Sequence, residues 1–188
     1  LDTALVIKVT ELLIGTINKI GSASLVVSGG RTPLAFFHLL SQQVLDWSKV
    51  VVTLADERWV DADHGDSNEK LVRENLLINE AHAAEFIPLK NSAMDAVEGE
   101  LQSESDIESL GQFTVVILGM GDDGHTASLF PGAKTLALGL DMNSGRTAIA
   151  VMPTAAPHQR MTLTLPRLLD SQQIILHIKG AGKQGVLQ

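Results

Sequence analysis

Residues 24–44 read SLVVSGGRTPLAFFHLLSQQV. The opening SLVV is short, apolar and β-branched, which predicts a strand covered on both faces. Gly29 and Gly30 end it. Thr32-Pro33 then predicts a helix start, with Thr32 as N-cap, Pro33 at the first helical position and LAFFHLLSQQV as the body. A strand, a glycine turn and a helix make one βα unit, and the same pattern recurs outward. Before it, residues 3–20 place Leu5, Val6, Val9, Leu12, Leu13, Ile17 and Ile20 mostly three or four apart, as in an amphipathic helix. After it come a strand that runs into charge (KVVVTLADERWV, 49–60), a helix (68–77), a second helix (91–110) and a third buried strand (FTVVILG, 113–119). RTAIAVM, MTLTL and QQIILHIKG supply further strands. Alternation of apolar strands with helices predicts an α/β fold: a single domain built on a mostly parallel open sheet with helices on both faces.

The composition agrees. The chain has 188 residues, enough for one sizeable core, and 45% of them are hydrophobic, which argues against disorder. The net charge of -8 does not favour nucleic-acid binding, so an anionic ligand needs a local basic pocket. With no Cys there is no disulfide, thiolate nucleophile or Cys-held metal, which fits the cytoplasm. No apolar run reaches the ~20 residues that span a bilayer. KGAGKQGVLQ reads as a helix barely begun, so one α/β domain is expected over 1–188, cut short at its C-terminus.

In open α/β sheets, ligands bind beyond the carboxyl ends of the strands. Four polar clusters follow strands here: Ser28-Gly29-Gly30-Arg31-Thr32, Asp56-Glu57-Arg58, Gly121 to His125, and Gly180 to Lys183. Their convergence on one cleft is a stronger argument than any single motif. SGGRTP suits an anion: two glycines allow close backbone approach, Thr32 adds a hydroxyl and Arg31 a charge, and a helix follows. A tight βα turn is the plainer reading. In ADERWV, alternation sends Asp56 and Arg58 to one side and Glu57 to the other. A local ion pair explains these residues equally well.

LGMGDDGHTASLFPG (118–132) contains Gly119, Gly121 and Gly124 as G-x-G-x-x-G, the dinucleotide fingerprint. Asp122 and Asp123 inside that loop would repel a pyrophosphate, and the loop does not belong to the first βα unit. A glycine turn with an Asp cap accounts for the glycines but not for Asp-Gly-His-Thr together. His125 beside a carboxylate, just past a buried strand, suits a general base. Arg160 in APHQRMTLTL offers a guanidinium fork for phosphate, although a solvated arginine is the default. Lys183, on the first turn of a helix, opposes the helix dipole unless an anion is present. The remaining histidines (38, 64, 82, 177) read as ordinary, and no spacing marks a metal site.

Together SGGRTP, DERWV, SNEKLVRENLL, VILGMGDDGHTASLFPG, RMTLTLPRLL and KGAGK resemble the 6-phosphogluconolactonase family, in its order and at about its spacing. The resemblance covers nearly the whole chain and implies a Rossmann-like domain, as in the glucosamine-6-phosphate deaminase superfamily. It further implies hydrolysis of 6-phosphogluconolactone without metal or organic cofactor. Related deaminases carry a catalytic Glu five residues past the His, where this chain has Phe130. Glu69 departs from the family's frequent Tyr. On this reading His125 is the base, Asp56 or Asp123 orients it, and backbone N–H groups near Gly121 meet the oxyanion. Gly29, Gly30, Arg31, Thr32, Arg58, Arg160 and Lys183 bind the substrate and its phosphate. The expected partner is a small sugar-phosphate lactone, with no nucleic acid and no membrane, and the protein is a monomer or weak homo-oligomer. A sugar-phosphate sensor without turnover, or a deaminase/isomerase, is the alternative.

Overall fold

A computed structural model describes residues 1–154, 156–183 and 185–186. The first helix, α1 (Asp2–Ile20), turns Leu5, Val6, Val9, Leu13 and Ile17 inward and stops at Gly21, whose φ of 89° is left-handed. Next come β1 (Ala23–Val27), α2 (Leu34–Leu40), β2 (Val50–Leu54), β3 (Asp56–Arg58) and α3 (Asn68–Asn75). Then follow β4 (Glu85–Ile87), α4 (Ala96–Glu108), β5 (Phe113–Leu118) and α5 (Leu136–Leu140). The described chain ends through β6 (Ala148–Val151), β7 (Arg160–Leu163), α6 (Leu165–Leu169) and β8 (Ser171–Leu176). No helix among the described residues is long and apolar enough to cross a membrane.

Five strands form a wholly parallel sheet in the order β4-β2-β1-β5-β8. The expected mostly parallel α/β sheet, flanked by helices, is therefore present. Central β1 and β5 are buried at every position, which is why their sequences are mostly apolar; their two polar members, Ser24 and Thr114, each accept from the other's backbone N–H at 3.1 Å. The chain starts at β1, builds outward through β2 and β4, then returns to add β5 and β8 on the other side. The connections reverse between β1 and β5, so the crevice opens there, at the carboxyl ends of both strands. The glycine loops at 28–33 and 119–125 are the segments that leave those ends.

The chain also forms a second sheet, which the sequence reading does not anticipate: antiparallel β3-β7-β6. KVVVTLADERWV is not one strand but two, in different sheets. Ala55 is the joint. Its N–H donates to Val27 O of the parallel sheet, and its carbonyl accepts from Leu163 N of the small sheet, both at 2.9 Å. Two other expectations also change. Thr32 does not cap α2; Pro33 sits at the N-cap position, with no side-chain cap, and the helix ends at Leu40 rather than running to Val44. The helix expected over 91–110 spans 96–108, because the Asp95 carboxylate accepts from Glu98 N and starts it there. The segment between β5 and β6 contains the short helix α5.

Glu57 fastens the small sheet to α3. Its carboxylate, 1% exposed, accepts from the backbone N–H groups of Arg58, Asn68 and Glu69 at 2.7–2.8 Å and from Ser67 Oγ at 3.1 Å. It thereby satisfies free N–H groups at the first turn of α3, on the positive end of the helix. Burial pushes the Glu57 carboxyl up, against these hydrogen bonds, which hold it down. At the far edge of the small sheet, α4 covers β6. Glu104 accepts from Arg146 Nε and Thr147 N, and Glu100 from Arg146 Nη2 and Ala150 N.

Glu57→Gln tests the anchor. The amide turns a donor toward N–H groups that need an acceptor, so urea unfolding should show a loss of about 1–3 kcal/mol. An unchanged midpoint and slope would remove Glu57 from the scaffold.

Candidate active site

The two glycine loops and the small sheet enclose a cleft of about 240 Å³. Its walls include Ser28, Gly29, Gly30 and Thr32 from the first loop and Gly119, Gly121 and His125 from the second. Asp56, Arg58 and Arg160 enter from the small sheet. Of the residues singled out in the sequence, Arg31, Asp123 and Lys183 do not line it.

Each loop has a glycine that space requires. A Cβ on Gly29 would fall 1.8 Å from Asn68 Oδ1, and Asn68 Nδ2 in turn donates to the Asp56 carbonyl at 2.9 Å. Gly29 thus lets the start of α3 press against the cleft wall. A Cβ on Gly121 would fall 2.3 Å from the His125 ring and 2.7 Å from Asp123 Oδ1. Those two side chains fold over Gly121 because Gly124, with φ at 84°, turns the chain between them.

The turn forms a carboxylate–imidazole pair. Asp123 Oδ1 lies 2.5 Å from His125 Nδ1, and this bond holds the Asp123 carboxyl below the usual range. The pairing fixes the imidazole orientation and leaves Nε2 free. Asp56 has a different neighbour. Its Oδ2 accepts from Ser128 Oγ at 2.5 Å, and Ser128 N is held by Thr162 Oγ1 at 3.1 Å. The carboxylate bonded to His125 is therefore Asp123 rather than Asp56. The Gly121 N–H is already donated to the His125 carbonyl at 2.8 Å, so it serves the loop instead of a ligand.

The two arginines are direct cross-strand partners in the β3–β7 ladder. Arg160 is 6% exposed and Arg58 half-buried, and neither is salt-bridged to a carboxylate among the described residues. Backbone oxygens hold them instead. Arg58 Nη1 donates to Asp66 O at 2.6 Å, and Arg160 Nη1 to Pro157 O at 2.8 Å and His158 O at 3.3 Å. Burial, then the Arg58 charge, lowers the Arg160 pKa. Arg58 Nε is buried without a partner. Like charges directly opposed across a ladder are unfavourable until an anion joins them. The local ion pair considered for Asp56 and Arg58 does not form.

Lys183 lies in a single turn at Ala181–Lys183, and its ammonium is paired with Asp122. Arg31 is exposed. Three cleft residues were not foreseen as such. Asn68 and Ser128 brace Asp56, a role visible only once the fold is known. His177, read as ordinary, lines the cleft, with Nε2 3.1 Å from Asp2 Oδ1 and its pKa lowered by burial. The sequence reading put it inside the strand QQIILHIKG, whereas β8 stops at Leu176 and leaves His177 at the strand's carboxyl end. Phe130 packs its ring 4.3 Å from the His125 ring. An apolar ring with no proton to exchange therefore lies against the imidazole.

A family model described as glucosamine-6-phosphate isomerases/6-phosphogluconolactonase matches residues 1–188. The 6-phosphogluconolactonase of Rhizobium meliloti strain 1021 is 47% identical over 168 residues, which is 89% of this chain and 72% of that protein. The crystal structure of a 6-phosphogluconolactonase from Shewanella baltica OS155 superposes with a TM-score of 0.92 at 46% identity, over 99% of this chain and 79% of that one. A monomeric glucosamine-6-phosphate deaminase, at 18% identity and a TM-score of 0.77 over 97% of this chain and 80% of its own, shares the fold. The chain therefore belongs to the glucosamine-6-phosphate isomerase/6-phosphogluconolactonase family.

Proposed function

We propose that this chain hydrolyses 6-phospho-D-glucono-1,5-lactone to 6-phosphogluconate, the second step of the oxidative pentose phosphate pathway. The observation that carries the reading is the pairing of opposites in one cleft. A carboxylate-supported imidazole stands at one wall, and two arginines without acidic partners among the described residues stand at another. The activity named for the relatives supports it. The arginines are suited to bind the 6-phosphate, since guanidinium forks match phosphate oxygens. Gly29, Gly30 and Thr32 add backbone and hydroxyl contacts. Fixing the phosphate holds the C1 carbonyl beside the imidazole.

His125 Nε2 takes a proton from water as the water oxygen bonds to C1. Asp123 stabilises the imidazolium that results, as the third group does in hydrolytic triads. The C1–O5 bond then breaks, and the ring oxygen leaves with the proton held on Nε2. No covalent intermediate is required, because the lactone is already an activated ester. Asp56, fixed by Ser128, keeps one oxygen for a sugar hydroxyl. We assign no phosphate contact to Arg31 or Lys183, which stand outside the cleft lining. We further infer that the protein acts in the cytoplasm as a monomer or weak homo-oligomer. The absence of cysteine fits that compartment.

His125→Ala should lower kcat by about 10²–10⁴-fold with little change in KM. The measurement is 6-phosphogluconate release from freshly generated lactone, corrected for spontaneous hydrolysis. Equal turnover would end the general-base role, and no turnover by the wild type would favour a sensor. Arg58→Gln should weaken 6-phosphogluconate binding about 10–100-fold, the loss of a charged hydrogen bond, without lowering the Tm of the free protein. Unaltered affinity in calorimetry would take Arg58 out of the clamp.

A further inference from the structure

The loops that hold the two arginines carry a second group of side chains, which no step above uses. His64 and Asp66 lie between β3 and α3, and His158 lies between β6 and β7. One ligand atom from each falls within 4.8 Å of the others. Asp66 Oδ2 is 3.0 Å from His158 Nε2 and 4.0 Å from His64 Nδ1. The two imidazoles meet edge to face at 5.4 Å. His158 adopts φ 67°, a left-handed conformation that is costly for a residue with a Cβ and that clusters at ligand sites. Ion pairing does not account for this arrangement. Half-exposed pairs of this kind contribute little.

We propose that His64, Asp66 and His158 form a site for a divalent transition-metal ion of the Zn²⁺ type. Two imidazoles and a carboxylate make a three-ligand set that leaves a tetrahedral position for water. Bonds of about 2.0–2.2 Å put neighbouring ligand atoms roughly 3.3 Å apart, so the wider gaps must close by about 1 Å. All three side chains are at least a quarter exposed, and side-chain rotation supplies that movement. Ligation through His64 Nδ1 displaces the Asp66 N–H that now donates to it at 3.0 Å. The nitrogen donors select a borderline ion over Mg²⁺ or Ca²⁺, which prefer oxygen.

Such an ion joins two loops that, among the described residues, are also linked by the Asp66–His158 bond and by Trp59 N donating to Gln159 O at 2.8 Å. Arg58 is held by the Asp66 carbonyl, and Arg160 by the carbonyls of Pro157 and His158. Occupancy therefore stiffens the backbone that aims both guanidinium groups.

Calorimetric titration of the whole chain with ZnCl₂ in a chelator-free buffer at pH 7.5 tests the site, with Co²⁺ absorption as a report of coordination. The expected result is one saturable ion per chain, at least about tenfold weaker binding in His64→Gln and His158→Asn, and no response to Mg²⁺. His64→Gln changes an exposed loop residue and keeps the test valid if His158→Asn folds poorly. Binding should survive in His38→Ala, His82→Ala and His125→Ala. Three outcomes overturn the proposal: no saturable binding up to about 1 mM, undiminished affinity in His64→Gln, or loss in His125→Ala, which would put the ion on the Asp123–His125 pair.

Discussion

The cleft depends on the two hydrogen bonds of one alanine. Ala55 donates to the large parallel sheet and accepts from the small antiparallel one, so a single peptide stretch belongs to both. That joint sends Asp56 and Arg58 away from β2 and into line with β7. Without it, a β2 strand carried straight on would leave the charged residues at the end of the parallel sheet. Arg58 would then have no cross-strand partner, and Asp56 would not meet Ser128. The small side chain suits the position, because Ala55 is fully buried where the two sheets meet.

The fixed groups around this joint give the site its preorganisation. Asp56 and Glu57 are adjacent carboxylates pointing to opposite sides of one strand. One is braced by Ser128 at the cleft, and the other is buried beneath the first turn of α3. Gly29 and Gly121 act as steric counterparts: each gives up its side chain so that another, Asn68 or the His125–Asp123 pair, can occupy the space. The polar atoms at the cleft are thus held by hydrogen bonds and close contacts already present before a ligand arrives, which lowers the ordering cost of binding.

Much of the large sheet was legible in the sequence, because a strand covered on both faces must be apolar throughout. SLVV and FTVVIL follow that rule except at Ser24 and Thr114, which bond each other's strand, and the glycine loops after them marked the crevice. The small sheet was not legible. Its strands are three or four residues long, and Asp56-Glu57-Arg58 has no apolar member to show a period. The meeting of Arg58 with Arg160, about a hundred residues apart in the chain, is a fact of tertiary register that local pattern does not carry. The pairing of Lys183 with Asp122 is a tertiary contact of the same kind, since nothing local connects the two. The start of α4 was readable: Asp95-Ala96-Val97-Glu98 has the spacing of a capping box.

The contact between α4 and β6 reaches beyond the site. A strand at the rim of a sheet normally presents a row of free N–H groups, which another chain can use as a template. On β6 the N–H groups of Ala148 and Ala150 are taken by Glu104 and Glu100, and Arg146 neutralises both carboxylates. An incoming strand would have to displace charged, already bonded groups before forming its first ladder bond. The small sheet is therefore closed to growth from this side by a helix of its own chain, and crowding many copies together gives them no purchase at β6.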